Sequence, residues 1–144
     1  MIAPTAPTEP RWRRLRILSA ICRTWTVRFL PSVFVEYGLV IVEHFAPYIF
    51  NGNNAAAQWD AGYRKHVERL QQLQCDFGRA HDFDRSGDRV YFVRPTTWRG
   101  LQPGSRFEEH GAWAFALAKS SDQWRILAYA WGANDETDWP VKAP

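Results

Sequence analysis

The sequence predicts an α+β fold: an antiparallel sheet with helices packed on one face. Three observations predict it. Residues 111–132, GAWAFALAKSSDQWRILAYAWG, are two runs that alternate bulky with small side chains, and the polar turn-forming tract Lys119-Ser120-Ser121-Asp122-Gln123 separates them. Residues 55–70 place Ala55, Trp59, Gly62, Tyr63, His66 and Leu70 on one helical stripe. Residues 39–50 open with the β-branched run Leu39-Val40-Ile41-Val42. A chain of 144 residues, 46% of them hydrophobic, fits one globular domain with a core and room for a cavity.

The hairpin at 111–132 wants cover on both sides. Successive strand side chains point to opposite faces, so Trp113, Phe115 and Leu117 oppose Ala112, Ala114, Ala116 and Ala118. On its second run, strict alternation sets Trp124, Ile126, Ala128 and Ala130 against Arg125, Leu127, Tyr129 and Trp131. Neither face is polar, as a sheet wetted on one side would require. The Tyr129 face, having polar handles among its apolar walls, is assigned inward, and the other face outward; a single bulge would invert this.

From the N-terminus, residues 1–10 carry Pro4, Pro7 and Pro10 and read as a disordered lead. Residues 11–30 set Leu15, Leu18, Cys22, Trp25 and Phe29 at helical spacing among six arginines. A domain helix covering the sheet is the preferred reading; a basic helix lying on an anionic membrane surface is the second. Pro31 ends that helix and opens a short one through Tyr37, which Gly38 stops. The strand from Leu39 continues through Glu43-His44-Phe45-Ala46 to Pro47 and resumes at Tyr48-Ile49-Phe50. Asn51-Gly52-Asn53 is a turn, with Asn53 or Asn54 as N-cap of the next helix. Strands are expected over 73–83 and from Arg89 towards Trp98, with a turn at 84–88 and a loop at 99–105. Pro95 implies an edge or a bulge. The polar tail after Gly132 is expected to fray, apart from Trp139.

Charge and cysteine usage exclude several classes. The net charge of +3 divides into +5 within residues 1–30 and −2 over the remainder, so the body offers no basic stripe for nucleic acid. Cys22 and Cys75 form no metal-type spacing, and a reducing, cytoplasmic setting is expected. No segment has the uninterrupted apolar length of a membrane span. His44, His66, His81 and His110 lack ligand spacing and no phosphate-binding glycine loop is present, so neither metal nor cofactor is expected.

The order and spacing of LVIVEHFAPYIFNG, GDRVYFVRPTTWRG and EEHGAWAFALAKSSDQWRILAYAWG resemble the nuclear transport factor 2-like superfamily, and within it the SnoaL-like branch related to polyketide cyclases and ketosteroid isomerases. The resemblance covers about residues 38–132. It implies a cone-shaped, strongly curved antiparallel sheet on N-terminal helices, the cystatin-like roll, enclosing an apolar cavity. It also implies a homodimer paired through the outer sheet face. The domain would span 11–132, with 11–37 an atypical basic pair of helices and 133–144 a tail.

Function does not follow from such a fold. One expectation is a small-molecule-binding domain without turnover, its pocket walled by Trp59, Tyr63, Phe92, Tyr129 and Trp131 for a small apolar or aromatic ligand. The alternative is a metal-free cyclase, isomerase or dehydratase working by proton transfer on a polyketide- or steroid-like ring. In members the resemblance points to, the base sits on the first strand, where this chain has Glu43-His44. His44 titrates near neutrality and is the expected base, with Glu43 beside it and His110 or Tyr129 as donor. Residues 111–118 contain no Asp or Glu, so an isomerase-type acidic donor is not expected there. His66, on an apolar stripe, reads as a packing histidine.

Overall fold

A computed structural model describes residues 33–140; the readings of the lead, the basic helix and the last four residues lie outside them. Strands β1 (Val40–Val42), β2 (Ile49–Phe50), β3 (Gln71–Phe77), β4 (His81–Ser86), β5 (Arg89–Gln102), β6 (Ser105–Ser120) and β7 (Gln123–Pro140) surround one described helix, α1 (Ala55–Val67). They form one curved, unclosed seven-stranded sheet in the order β2-β1-β7-β6-β5-β3, with β4 also paired to β5. All pairs are antiparallel except β1 with β7, where Val40, Ile41 and Val42 run parallel to Ala128, Tyr129 and Ala130. This parallel pair of strands departs from the fully antiparallel expectation.

Several elements depart from the sequence reading for local reasons. Val33 is helical, but Phe34 forms a parallel bridge to Ile126 and the Val35 N–H donates to the Ile126 carbonyl at 3.0 Å, so the helix expected through Tyr37 stops at Val33 and residues 36–38 bend. The long strand from Leu39 is a tight hairpin: the Glu43 N–H bonds the Tyr48 carbonyl at 2.9 Å and reverses the chain over Phe45–Tyr48. The strand expected over 73–83 is two strands interrupted at Gly78, both pairing with β5. Asp84, Arg85 and Ser86 belong to β4, which leaves only Gly87-Asp88 as the turn.

Pro95 sits inside β5 without a bulge, since Arg94, Pro95 and Thr96 keep register with Trp113, Ala112 and Gly111, and on its other side it meets a local gap in the pairing. Its carbonyl accepts the Gly78 N–H at 2.8 Å where β5 changes partner from β3 to β4. N and O of one strand residue point to the same side, so the missing N–H faces that gap and breaks no ladder bond. The loop expected at 99–105 contracts to Pro103-Gly104, and the frayed tail is instead ladder, with β7 pairing β6 as far as Pro140 with Ser105.

The inner face decides the site. Val90, Phe92, Thr96 and Trp98 of β5, Trp113, Phe115 and Leu117 of β6, and Ile126, Tyr129 and Trp131 of β7 are all buried. A register shift between Ala116 and Leu117 makes Leu127 an extra residue, so Ile126 faces inward with Tyr129 rather than outward as alternation predicts. A second shift lies at His110/Gly111. A Cβ on Gly111 would lie 2.6 Å from a Trp131 ring carbon and closer still to the Gly132 carbonyl, so only glycine permits this approach. The outer face presents Ala112, Ala114 and Ala116 beside Ala128, Ala130 and the exposed Val40 and Val42.

Helix α1 lays Trp59, 1% exposed, onto that inner face, with Asn54 as N-cap but no side-chain capping bond. Arg64, Lys65 and His66 crowd its last turn, where cations suit the dipole.

Candidate functional site

Beyond Val42 the chain leaves β1 while keeping strand-like alternation: Ile41, Glu43 and Phe45 are buried, and His44 is exposed. Glu43 is thereby carried under α1 at 5% exposure. Its Oε1 accepts a hydrogen bond from Tyr129 OH at 2.7 Å and another from Trp59 Nε1 at 3.1 Å. One carboxyl oxygen thus joins first hairpin, helix and long hairpin. Removing this carboxyl from water pushes its pKa from an ordinary 4.5 up to about 7, against the opposing pull of the Tyr129 and Trp59 hydrogen bonds. Tyr129, fully buried beside Glu43, is pushed well above its ordinary value by burial and by that carboxylate.

Glu43 lines an open-mouthed cavity of about 70 Å³ between α1, β3 and the inner face. Its walls include Phe45, Tyr63, Trp98, Phe107, Trp113 and Trp131, with Leu70 and Leu73. The second carboxyl of the cavity is Glu109, which accepts the Trp131 Nε1–H at 3.1 Å. Burial and the carboxyl of Glu136, its register partner on β7, push its pKa to about 7 as well. Trp113 also lines the cavity, and its buried Nε1 has no hydrogen-bond partner.

His44 and His66 complete the lining. Their Nε2 atoms lie 3.1 Å apart, and His66 stacks on Phe45 with ring centroids 4.9 Å apart. His44 Nδ1 is 3.9 Å from Glu43 Oε2. Partial burial holds both imidazoles below the usual histidine range, and for His44 the neighbouring His66 adds to the effect, so both are neutral near pH 7. Among the described residues no group of three or more His, Cys, Asp and Glu is placed to hold a metal ion.

Of the residues expected from sequence, the structure brings Glu43, His44, Tyr63 and Trp131 to this cavity. Trp59 and Tyr129 stand behind it, holding Glu43 rather than forming wall. Phe92 lies in the core, stacked on Phe115 at 5.1 Å, away from the lining. His110 is on the outer side of the sheet, exposed and bonded to Glu108 at 2.5 Å, and takes no part. Sequence reasoning missed Glu109, Trp98, Phe107 and Trp113, and gave His66 a packing role. The signal for Glu109 was present: Phe107, Glu109, Gly111 and Trp113 alternate onto one face once β6 is known to begin at Ser105.

Among the described residues no helix is long and apolar enough to cross a membrane. Cys75 on β3 is disulfide-bonded, so its thiol lends no support to the reducing setting expected from cysteine usage.

A helix laid into a bent sheet whose long hairpin carries the buried polar groups is the nuclear transport factor 2-like fold, and this chain has it. Solved structures with this architecture include hexachlorocyclohexane dehydrochlorinase LinA-type3 from Novosphingobium barchaimii, with a TM-score of 0.63 at 10% identity over 78% of each chain. A protein carrying the scytalone dehydratase name from Novosphingobium aromaticivorans matches at 0.57 and 14% identity, over 77% of this chain and 72% of that one. An NTF2-like protein from Cytophaga hutchinsonii matches at 0.60 and 13%, over 81% and 88%. No protein-family model and no curated protein matches the chain.

Proposed function

We propose that the cavity is the active site of a cofactor-independent proton-transfer enzyme in which Glu43 takes an activated C–H proton from a small molecule, in an elimination or an isomerisation. The observation that carries this reading is the buried Glu43 carboxyl, oriented by Tyr129 and Trp59, with its pKa raised to about 7. A carboxylate so desolvated is a stronger base than one in water and is still available at neutral pH. His44 and His66, neutral and adjacent, are the next groups able to carry the proton. Neighbours of the same fold bear the names of a dehydrochlorinase and a dehydratase, both eliminations, which fits this reading.

The test uses 5-nitrobenzisoxazole, whose ring opens when a base removes its one acidic C–H. Wild type is expected to open it with a rate that rises with pH through about 7, and Glu43→Gln to lower that rate by roughly 10²–10⁴-fold. Equal rates in both would leave the second reading, a binding domain in which Glu43 only ties α1 to the sheet through Trp59 and Tyr129. We also infer that the alanine-rich face on the outside pairs with a second copy of the chain, supported by its apolar rows and by the exposed Val40 and Val42.

A further inference from the structure

We propose that the ligand of this cavity is an organic cation, a primary ammonium carried on an apolar or aromatic body. This deepens the proton-transfer reading, on which it rests, by naming the substrate class, and it adds to Glu43 the aromatic walls and Glu109, which that reading does not use. Six aromatic rings line the cavity, from Phe45, Tyr63, Trp98, Phe107, Trp113 and Trp131, and ring faces attract cations. Glu43 and Glu109 sit in the same wall, and among the described lining residues there is no lysine or arginine. Glu109 lies directly opposite Glu136 on paired strands, an arrangement that costs stability when both are ionised and nothing positive intervenes.

The charge balance is therefore open. With His44 and His66 neutral, this pocket must hold protons on its carboxyls or accept a cation in their place. An anionic ligand would face two carboxyls, and a neutral one would make no use of their charge. Size narrows the class. The cavity of about 70 Å³ opens at its mouth, so a small group enters it while a larger body stays at the rim. The ammonium head would enter between the carboxyls and the aromatic walls, and the body of the ligand would rest at the mouth against Phe45, His44 and His66.

Binding of such a cation is linked to protons. The titratable groups around Glu43 are His44, Tyr63 and His66 from α1 and the hairpin turn, Tyr129 from β7 and Glu109 from β6; around Glu109 they are Glu136 and Glu43. Glu43 and Glu109 titrate near pH 7. A cation that displaces one proton gains affinity about tenfold per pH unit below that point and levels off above it.

The experiment compares benzylamine with benzyl alcohol, its neutral near-isostere, by calorimetry from pH 5.5 to 8.5 on the full chain. Benzylamine is expected to bind at least about tenfold more tightly at pH 8, with the gap closing towards pH 5.5. Glu109→Gln, a polar isostere whose folding is checked by its melting curve, is expected to shrink the gap severalfold. Absence of benzylamine binding, equal binding of the two compounds, or a preference indifferent to pH would overturn the proposal. If benzylamine binds as expected while 5-nitrobenzisoxazole is left intact, the proton-transfer reading falls and the cation site stands. Turnover of the neutral probe without amine preference gives the reverse.

Discussion

Glu43→Gln should make the protein more stable above neutrality while leaving acid stability unchanged, and the size of the effect follows from the site. In the unfolded chain this carboxyl titrates near 4.5, and in the fold near 7. A group whose folded pKa lies above its unfolded one contributes stability that is complete below the unfolded value and is lost as pH rises through the folded one. Between pH 4.5 and about 7 the unfolded chain has released the proton and the folded one retains it. Stability should therefore fall by about 1.4 kcal/mol per pH unit, reaching a total of about 3 kcal/mol, and flatten above that. Glutamine keeps an acceptor for Tyr129 OH and Trp59 Nε1 but never ionises, so it escapes this loss. Urea unfolding of both proteins from pH 4 to 8.5 reads out Glu43 together with its smaller electrostatic coupling to Glu109. The expected difference, variant minus wild type, grows by about 3 kcal/mol from the acid to the alkaline end. A difference that does not change with pH would show that Glu43 titrates as it does in water, and would remove the ground for treating it as an activated base.

Other substitutions probe the surroundings. Tyr129→Phe removes a hydrogen bond that favours the ionised Glu43, so the midpoint of the pH–rate curve should move above about 7, with about 1–2 kcal/mol of stability lost in denaturant titrations. Gly111→Ala drives a methyl group into Trp131 and the Gly132 carbonyl and should cost about 1–3 kcal/mol, seen as a lower melting temperature. Ser121 and Asp122 both hold positive φ, 48° and 62°, in the turn between β6 and β7. Asn-Gly at these positions should raise stability by about 0.5–1 kcal/mol by the same measure, since that pair adopts the turn with less strain. Ala114→Arg on the outer face should convert a dimer into a monomer in light scattering; a wild-type protein already monomeric would refute the pairing.

The fold was legible where periodicity carries it. The two runs of 111–132 and the helix that begins at Ala55 appear where their spacing put them, the helix ending at Val67 short of Leu70, because burying one face demands a period that the sequence must display. Strand ends were harder: Gly100, Pro103 and Gly104 look like a loop, yet pairing with β6 and β3 extends β5 to Gln102. The adjacent pair Glu43-His44 was legible as chemically suggestive, but their roles were not. Alternation sends one of them inward, and which one depends on where β1 ends and the turn to Tyr48 begins.

The sequence by itself determined a sheet with apolar faces on both sides, a helix to roof it, and a carboxylate next to an imidazole in the apolar run that begins at Leu39. Only tertiary structure decided that Glu43 rather than His44 is the buried group, that Glu109 faces it while His110 points away, and that Ile126 and Tyr129 share one side. The reason is that a strand's side-chain period is two residues, so each bulge or strand end exchanges inside for outside. Where those shifts fall is settled by pairing between segments far apart in the chain, such as Phe34 on Ile126 or Gly111 beside Ala133, which no local pattern encodes.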